Sequence, residues 1–296
     1  MTAVDLDLAE KQAPDRTVRR GLLRGVHRVR GSVAISFLIM AIVAVAAAFG
    51  PLIAPQNPSA QDLNLVLVPP SGAHWLGTDE LGRDVFSRMI VGSRTVFLGP
   101  LMVAGGAMLV GNILGLLAGY RGGIIDAFIM RLADLLMAVP GLLIIIVVSG
   151  TIGAGYWVAV GLLALLIMPF DARVVRGVTL EQVPRPYVEA ARTLGVSDRR
   201  IMFLHIWPNI SAVVVANTCL AYAGALVGLS SLSFLGVGVA PGSPDWGQML
   251  SDGQISLFQN PIATLAPGAA IVLVAAAMNI IGDWGYDRLS SRGASR

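Results

Sequence analysis

Long hydrophobic stretches, separated by short polar segments, dominate the chain. Five tracts contain no Asp, Glu, Lys or Arg: residues 31–61, 95–120, 135–170, 206–244 and 253–282. A helix that crosses the hydrocarbon core of a bilayer needs about 20 apolar residues. The first, second and fifth tracts, and the leading part of the fourth, therefore each predict one spanning helix. The third tract has room for two, and the run of small residues at 150–155 predicts a turn between them.

The pattern thus predicts an all-α membrane protein with six transmembrane helices. Their expected bounds are 33–54, 95–119, 129–149, 156–171, 210–234 and 262–283. Composition agrees, because 55% of the residues are hydrophobic and only 13% are charged.

Arginine placement predicts the orientation of these helices. An even number of spans puts both termini on one side of the membrane, and that side would carry 18 of the 21 basic residues. Basic residues are retained on the cytoplasmic side of membrane proteins. We therefore expect a multi-pass plasma-membrane protein with both termini in the cytoplasm.

Domain organisation follows from the same pattern. Residues 1–30 are predicted to be a basic cytoplasmic tail, 31–285 a six-helix transmembrane domain, and 286–296 a cytoplasmic C-terminal tail. Two polar insertions interrupt the domain: an extracytoplasmic cap segment at 62–94 and a cytoplasmic loop at 172–209. The first apolar run is too long for a cleaved signal peptide, so we expect it to remain as a span in contact with the lipid bilayer.

Several activities are disfavoured by what the chain lacks. Lys11 is its single lysine, so the Gly-Lys-Ser/Thr phosphate loop of ATPases cannot form. His27, His74 and His205 lie in separate segments and Cys219 is alone, which argues against a metal site. We expect no catalytic residues, no cofactor or metal bound by this chain, and no nucleic-acid partner.

Charge within the spans separates the classes of transporter. Proton- or sodium-coupled carriers usually place ionisable residues near the membrane midplane. Here Asp171 and Asp283 lie near predicted cytoplasmic ends and are interpreted as interfacial anchors. The energy for transport would then come from another protein. A self-sufficient carrier or channel, and a membrane scaffold that transports nothing, are the alternatives.

Glycines are concentrated in two spans. Gly111, Gly115 and Gly119 recur every four residues in the second span, and Gly224 and Gly228 do so in the fifth. Such spacing places glycines on one helix face, where they permit close helix packing. The alternative is a smooth wall beside a translocation path, with Gly111, Gly115, Gly224 and Gly228 as the candidate pore-lining residues.

The loop at 172–209 is predicted to fold as two short helices. The first would run from Tyr187 to Leu194 and end at Gly195. The second would be capped by Ser197 and carry Ile201, Leu204 and Trp207 on one face. The loop either lies on the bilayer surface or docks into a groove of a soluble partner. Its candidate contact residues are Tyr187, Glu189, Ala190, Ala191, Arg192, Leu194, Gly195, Ile201, Leu204 and Pro208.

The cap segment is predicted to contain an amphipathic helix that starts at Thr78 or Asp79. Asp84 and Arg88 would form an i,i+4 pair on its polar face. The helix either rests on the membrane or receives an extracytoplasmic protein. The candidate contacts for such a protein are Asp79, Glu80, Arg83, Asp84, Asp245 and Trp246.

Four ordered motifs carry a resemblance to a known family. They are Glu189-Ala190-Ala191 with Gly195 and Pro208-Asn209, His74 to Asp84, Ser231 to Gly238 with Trp246-Gly247, and Asn279 to Asp283. Together they resemble permeases of the dipeptide/oligopeptide/nickel group of ABC importers, in particular the C-type subunit of the pair. The likeness covers about His74 to Asp283 and departs from the family pattern at 284–288, which leaves the role of the C-terminal tail open.

The resemblance implies the type I ABC importer permease fold. It also implies a heterodimer with a homologous second permease, two ABC ATPase subunits that bind ATP and Mg, and an extracytoplasmic substrate-binding protein in a bacterial inner membrane. The Glu189–Trp207 loop would contact the ATPases. Di- and oligopeptides are the expected substrates, with nickel chelates or glutathione as the alternative.

Overall fold

The computed structural model describes residues 16–152 and 155–293, and within these ranges helices make up the regular structure. The helices are α1 Arg16–Ile53, α2 Val85–Arg121, α3 Gly123–Met137, α4 Gly141–Ile152, α5 Tyr156–Gln182, α6 Pro186–Thr193, α7 Asp198–Phe234, α8 Trp246–Asp252 and α9 Pro261–Gly293. A single 3-10 turn, Leu63–Leu65, lies in the cap segment. Residues 1–15 of the predicted basic tail and 294–296 of the C-terminal tail lie outside the described residues.

Among the described helices, α1, α2, α5, α7 and α9 are each long and apolar enough to cross a membrane. α3 and α4 are bent by 70° at the break between them, and the pair is either a sixth, broken span or a re-entrant loop. The all-helical, multi-span class is thereby confirmed.

The prediction of one continuous third helix at 129–149 was wrong. Pro140 lies at the break, immediately before α4. Proline lacks the N–H that a helix interior needs and disfavours helical geometry in the residue before it. The first helix of the bent pair, α3, is held to α5 by two ion pairs. Arg176 of α5 pairs with Asp126, and Arg173 pairs with Asp134.

Besides the broken third helix, three helices begin well before their predicted starts. α1 begins at Arg16 rather than at residue 33, so it includes half of the predicted N-terminal tail. α2 begins at Val85, where Asp84 caps it by accepting a hydrogen bond from the Ser87 amide at 2.8 Å. The cap helix predicted from Thr78 or Asp79 is therefore the first part of the second span, and its start was placed too early. α7 likewise begins at Asp198, so the second helix predicted in the 172–209 loop is continuous with the fifth span.

The glycines of α2 form a close-packed seam against α5. A Cβ placed on Gly111 would lie 2.7 Å from the Asp171 Cβ, and one on Gly115 would lie 2.6 Å from the Ala172 carbonyl oxygen. A Cβ placed on Gly119 would likewise lie 2.7 Å from the Thr179 Cβ. The structure therefore favours the packing interpretation, and the prediction that Gly111 and Gly115 line a pore is corrected.

The bundle has two ends with different contents. We call the end formed by residues 54–84 and 235–260 the cap end, where Val85, Tyr222 and Trp246 belong to one buried cluster. We call the end formed by residues 183–206 the loop end, where Leu116 and Ile206 belong to another. α2 runs from one end to the other.

Candidate functional site

The short helix α6 has well-defined ends. Pro186 occupies its first turn, where the missing N–H costs nothing. At the other end the Val196 amide donates to the Ala191 carbonyl at 3.1 Å and the Gly195 amide to the Arg192 carbonyl at 3.0 Å. These two bonds form a Schellman motif. Gly195 adopts φ +73°, which confirms the prediction that it lies just past the helix end.

α6 is fixed firmly to the loop end. Val188 and Ala191 are buried against residues of α2, α5 and α7. The Arg192 guanidinium lies 4.9 Å from the centre of the Tyr120 ring. The Tyr120 hydroxyl in turn donates to the Asp198 carboxylate at 3.0 Å. Because these contacts join three helices, α6 is a rigid projection of the bundle rather than a loosely attached loop.

Seven of the ten predicted contact residues of the 172–209 loop are exposed, most of them on α6 or directly after it. Glu189, Ala190, Arg192, Leu194, Gly195, Leu204 and Pro208 are exposed, and Leu194 is 82% exposed. Tyr187 is half-buried, and its burial raises the pKa of its hydroxyl, which donates to Gln182 at 3.0 Å. Ala191 and Ile201 are buried and support the exposed residues from beneath.

The predicted shared face of Ile201, Leu204 and Trp207 was wrong. Residues Ile201–Ile206 form a π-helical turn, in which the Trp207 amide bonds to the Met202 carbonyl five residues back. This wider turn shifts the side-chain register. Ile201 is completely buried as a result, whereas Leu204 is 66% exposed.

Substitutions at Gly195 can test the effect of an added charge separately from the effect of backbone conformation. Its positive φ is unfavourable for most side chains, but Asn and Asp adopt it at low cost. A Cβ at this position would meet nothing within 4 Å. We expect Gly195→Asn to remain folded and active, and Gly195→Asp to remain folded but lose most transport, because it adds a negative charge to the exposed end of α6. Equal transport by the two variants in a reconstituted uptake assay would contradict this.

At the cap end, most of the predicted contact residues are buried. Arg83, Asp84, Asp245 and Trp246 are each less than 5% exposed. Asp245 caps α8 and accepts a hydrogen bond from Thr95 at 2.7 Å, and the Trp246 indole donates to the Met89 carbonyl at 2.9 Å. These four side chains hold the cap together, so the prediction that they contact another protein directly is corrected.

The predicted Asp84–Arg88 pair is also absent. Asp84 lies 3.0 Å from His74 Nδ1, and its second oxygen accepts from Ser87. Arg88 donates instead to the carbonyls of Gly242 and Ser243, each at 3.1 Å. Asp79 and Glu80 are the remaining members of the predicted set, and both are half-buried.

An open groove runs between α5, α7 and α9. Phe170, Leu220, Val227 and Gly224 line it, together with Asn279 of the last motif. A Cβ on Gly224 would meet nothing within 4 Å, whereas one on Gly228 would lie 3.4 Å from a Leu163 methyl. Gly224 therefore stays a candidate lining residue, while Gly228 packs towards α5.

Asp171 has an environment that the sequence interpretation missed. It was expected to anchor a helix end at the membrane surface, but it is 2% exposed. The Asn217 amide of α7 donates to one of its oxygens at 2.6 Å, and its other oxygen has no hydrogen-bond partner. A lone asparagine within an apolar span was the available signal, because such residues commonly join helices. Asp171 therefore joins α5 to α7.

No group of three or more His, Cys, Asp or Glu within residues 16–152 and 155–293 has an arrangement that could hold a metal ion. The two ends of the bundle are instead distinguished by the surfaces that they present. A stiff, exposed projection lies at the loop end, and a hydrogen-bonded cap lies at the other.

Residues 111–294 match the family model described as the binding-protein-dependent transport system inner membrane component. The chain is 33% identical over 285 residues to the probable D,D-dipeptide transport system permease protein of Escherichia coli K12, with 96% of each chain covered. It is 35% identical over 277 residues to the glutathione transport system permease protein of Pectobacterium atrosepticum, covering 94% of this chain and 92% of the relative. It is 34% identical over 261 residues to the di/tripeptide transport system permease protein of Pseudomonas aeruginosa, covering 86% of each. The chain belongs to the family of binding-protein-dependent transport system inner membrane components.

Proposed function

We propose that this chain is the C-type permease subunit of an ATP-driven importer of di- and oligopeptides. The observation that carries the proposal is the coupling geometry at the loop end. The exposed face of α6 is fixed through Arg192 and Tyr120 to α2, and the segment after it continues into the spanning helix α7. A push against α6 would therefore displace spanning helices rather than bend a loop.

ATP hydrolysis would be supplied by partner subunits. With a single lysine, the chain has no phosphate-loop lysine of its own to contact ATP and Mg. Two ABC ATPase subunits would bind nucleotide and dock on α6. This assigns the loop end to the cytoplasm, together with the N-terminus, in agreement with the distribution of basic residues.

The translocation path would form where this subunit meets a homologous second permease. The groove between α5, α7 and α9 is a candidate for one half of that path, because its lining is apolar and Gly224 leaves it open. An extracytoplasmic binding protein would deliver the substrate at the cap end. The chain itself is assigned no catalytic step.

Peptides are the substrates that the relatives favour. Relatives named as dipeptide, di/tripeptide and oligopeptide permeases match the chain at 33–34% identity. Glutathione is the second candidate, because permeases named for glutathione match at 35%. Nickel chelates, the other sequence-based alternative, have no comparable support among these relatives.

Purification of the chain from its native membrane in mild detergent, followed by mass spectrometry, tests the proposal. We expect a homologous permease and phosphate-loop ATPases to copurify. The purified complex with its binding protein should take up labelled dipeptide into liposomes in an ATP-dependent manner, and unlabelled peptide should compete better than glutathione. Recovery of the chain alone, with transport independent of ATP, would instead establish a self-sufficient carrier or channel.

A further inference from the structure

The projecting helix α6 lies between two parts of the bundle. Its chain enters from α5, which is closely packed against α2 along the glycine seam, and leaves into α7. The connection to α7 runs through Gly195, which is exposed and has a positive φ. This connection has to be held against the α2–α5 pair if a push on α6 is to act on both parts of the bundle together.

Tyr120, at the end of α2, makes the directional contacts of this junction. Among the residues that the structure describes, the bond from Arg192 Nε to the Tyr120 hydroxyl, at 3.3 Å, is the single hydrogen bond between a side chain of α6 and a helix other than α5 or α7. The same hydroxyl donates to the Asp198 carboxylate at 3.0 Å. One oxygen atom thus joins the end of α6 and the start of α7 to the end of α2.

The other contacts of the junction fix its geometry less well. Ala191 shares a buried cluster with Leu116 and Tyr120, but apolar contacts are non-directional. Arg121 pairs with Asp198 at 3.5 Å, yet both side chains are about half exposed, and exposed ion pairs contribute little. Tyr120 is 9% exposed, and polar contacts of buried groups are screened much less by salt. The Tyr120 hydroxyl is therefore the group best placed to set the position of α6.

We propose that Tyr120 is a positioning residue, whose hydroxyl holds the end of α6 and the start of α7 to the α2–α5 pair, so that a push on α6 moves these helices together. The inference rests on the proposed function, since it requires ATPases that dock on α6. Without the hydroxyl, the segment that joins α6 to α7 would absorb part of the displacement. ATP would then be hydrolysed without a full movement of the spanning helices.

The test compares ATP hydrolysis with uptake of labelled dipeptide by the complete complex in proteoliposomes, in the presence of its binding protein. We expect Tyr120→Phe to lower uptake by about tenfold, which corresponds to about 1.4 kcal/mol, because hydrogen bonds to charged groups contribute energies of this order. ATP hydrolysis should fall much less, so that more ATP is consumed per peptide imported. The variant keeps the aromatic ring that Arg192 and the buried cluster contact, so the ATPases should still copurify.

Changes at Asp198 test the same bond from its other side, independently of the aromatic ring. Asp198→Asn removes the ion pair with Arg121 but keeps an oxygen that can accept from the Tyr120 hydroxyl, so it should retain most of the coupling. Asp198→Leu removes the acceptor and should raise ATP consumption per peptide as Tyr120→Phe does. The double variant of Tyr120→Phe with Asp198→Leu should be little worse than either single change, because both remove one bond.

Tyr286→Phe is the matched control for the loss of a hydroxyl. Tyr286 lies near the end of α9 and is 43% exposed, and its side chain has no hydrogen-bond partner among the described residues. We expect its uptake and its ATP consumption per peptide to equal those of the unaltered complex.

An unchanged ratio of ATP hydrolysed to peptide imported in Tyr120→Phe would overturn the inference and leave the proposed function intact. A parallel fall of uptake and hydrolysis, with a lower unfolding temperature, would also overturn it, because it would show a role in stability alone. Equal loss of coupling in Asp198→Asn and Asp198→Leu would assign the effect to the ion pair instead of the hydroxyl. Uptake by the unaltered complex that does not depend on ATP would contradict the proposed function itself.

Discussion

Reversal of charge at Glu189 is expected to lower ATP-dependent uptake strongly while the protein remains folded. Glu189 is exposed on α6, and among the described residues its carboxylate has no hydrogen-bond or ion-pair partner. Substitutions at such surface positions change the free energy of unfolding by about 0.5 kcal/mol or less. A partner whose surface is complementary to the Glu189 carboxylate would instead meet a positive charge at this position in Glu189→Lys. Like-charge contacts in an interface cost several kcal/mol.

We expect Glu189→Lys to lower peptide uptake by at least about tenfold, which corresponds to about 1.4 kcal/mol. Uptake into proteoliposomes and recovery of the ATPases in a pull-down are the two measurements. Glu189→Gln, which removes the charge without reversing it, should give an intermediate result.

Glu181→Lys serves as the matched control for this prediction. Glu181 is also an exposed glutamate, but it lies near the end of α5 rather than on the projecting helix α6. We expect it to leave uptake and ATPase recovery unchanged. Equal loss in both variants would show that the loop end responds to charge in general. Normal uptake by Glu189→Lys would exclude α6 as the docking element.

α2 connects the cap end and the loop end directly. Asp84 caps its start at the cap end, and Tyr120 near its end contacts Arg192 of α6. At 1.5 Å per residue, its 37 residues extend over about 55 Å. Because helices transmit displacement along their axes, a protein bound at the cap end and one docked at the loop end would act on the same element.

Local features of the chain were the ones that the sequence predicted well. The end of α6 at Gly195 depends on one residue that tolerates a positive φ, so it could be recognised without knowledge of the fold. The multi-span, all-helical class likewise follows from the lengths of apolar tracts. The start of α2 was ambiguous because Thr78, Asp79 and Asp84 are all suitable capping residues, and the choice depends on tertiary contacts of the cap.

Features that join distant segments could not be predicted in this way. One cavity at the cap end is lined by both Glu80 and Gln248, and no periodicity relates the two. The π-helical turn before Trp207 has no sequence signature, yet it reversed the expected burial of Leu204. The glycine spacing in α2 showed that these residues share one helix face, but it did not show what that face contacts. A translocation path and a closely packed helix are both compatible with glycine.

A pair of glycine-to-alanine substitutions in α2 should change stability in opposite directions. Alanine at Gly115 would place its Cβ 2.6 Å from the Ala172 carbonyl and 2.7 Å from the Val175 Cβ, so α2 and α5 must move apart. Such overpacking costs about 1–3 kcal/mol. Alanine at Gly105 of the same helix meets nothing within 4 Å and should stabilise the helix by about 0.5–1 kcal/mol.

The measurement is the thermal unfolding temperature of the purified complex in detergent. We expect Gly115→Ala to unfold several degrees below the unaltered protein and Gly105→Ala at or slightly above it. Because both changes add the same methyl group to the same helix, differences in helix propensity and hydrophobicity cancel. Similar unfolding temperatures for the two variants would mean that the α2–α5 seam is looser than the structure indicates. Gly115 would then regain its place as a candidate residue of the translocation path.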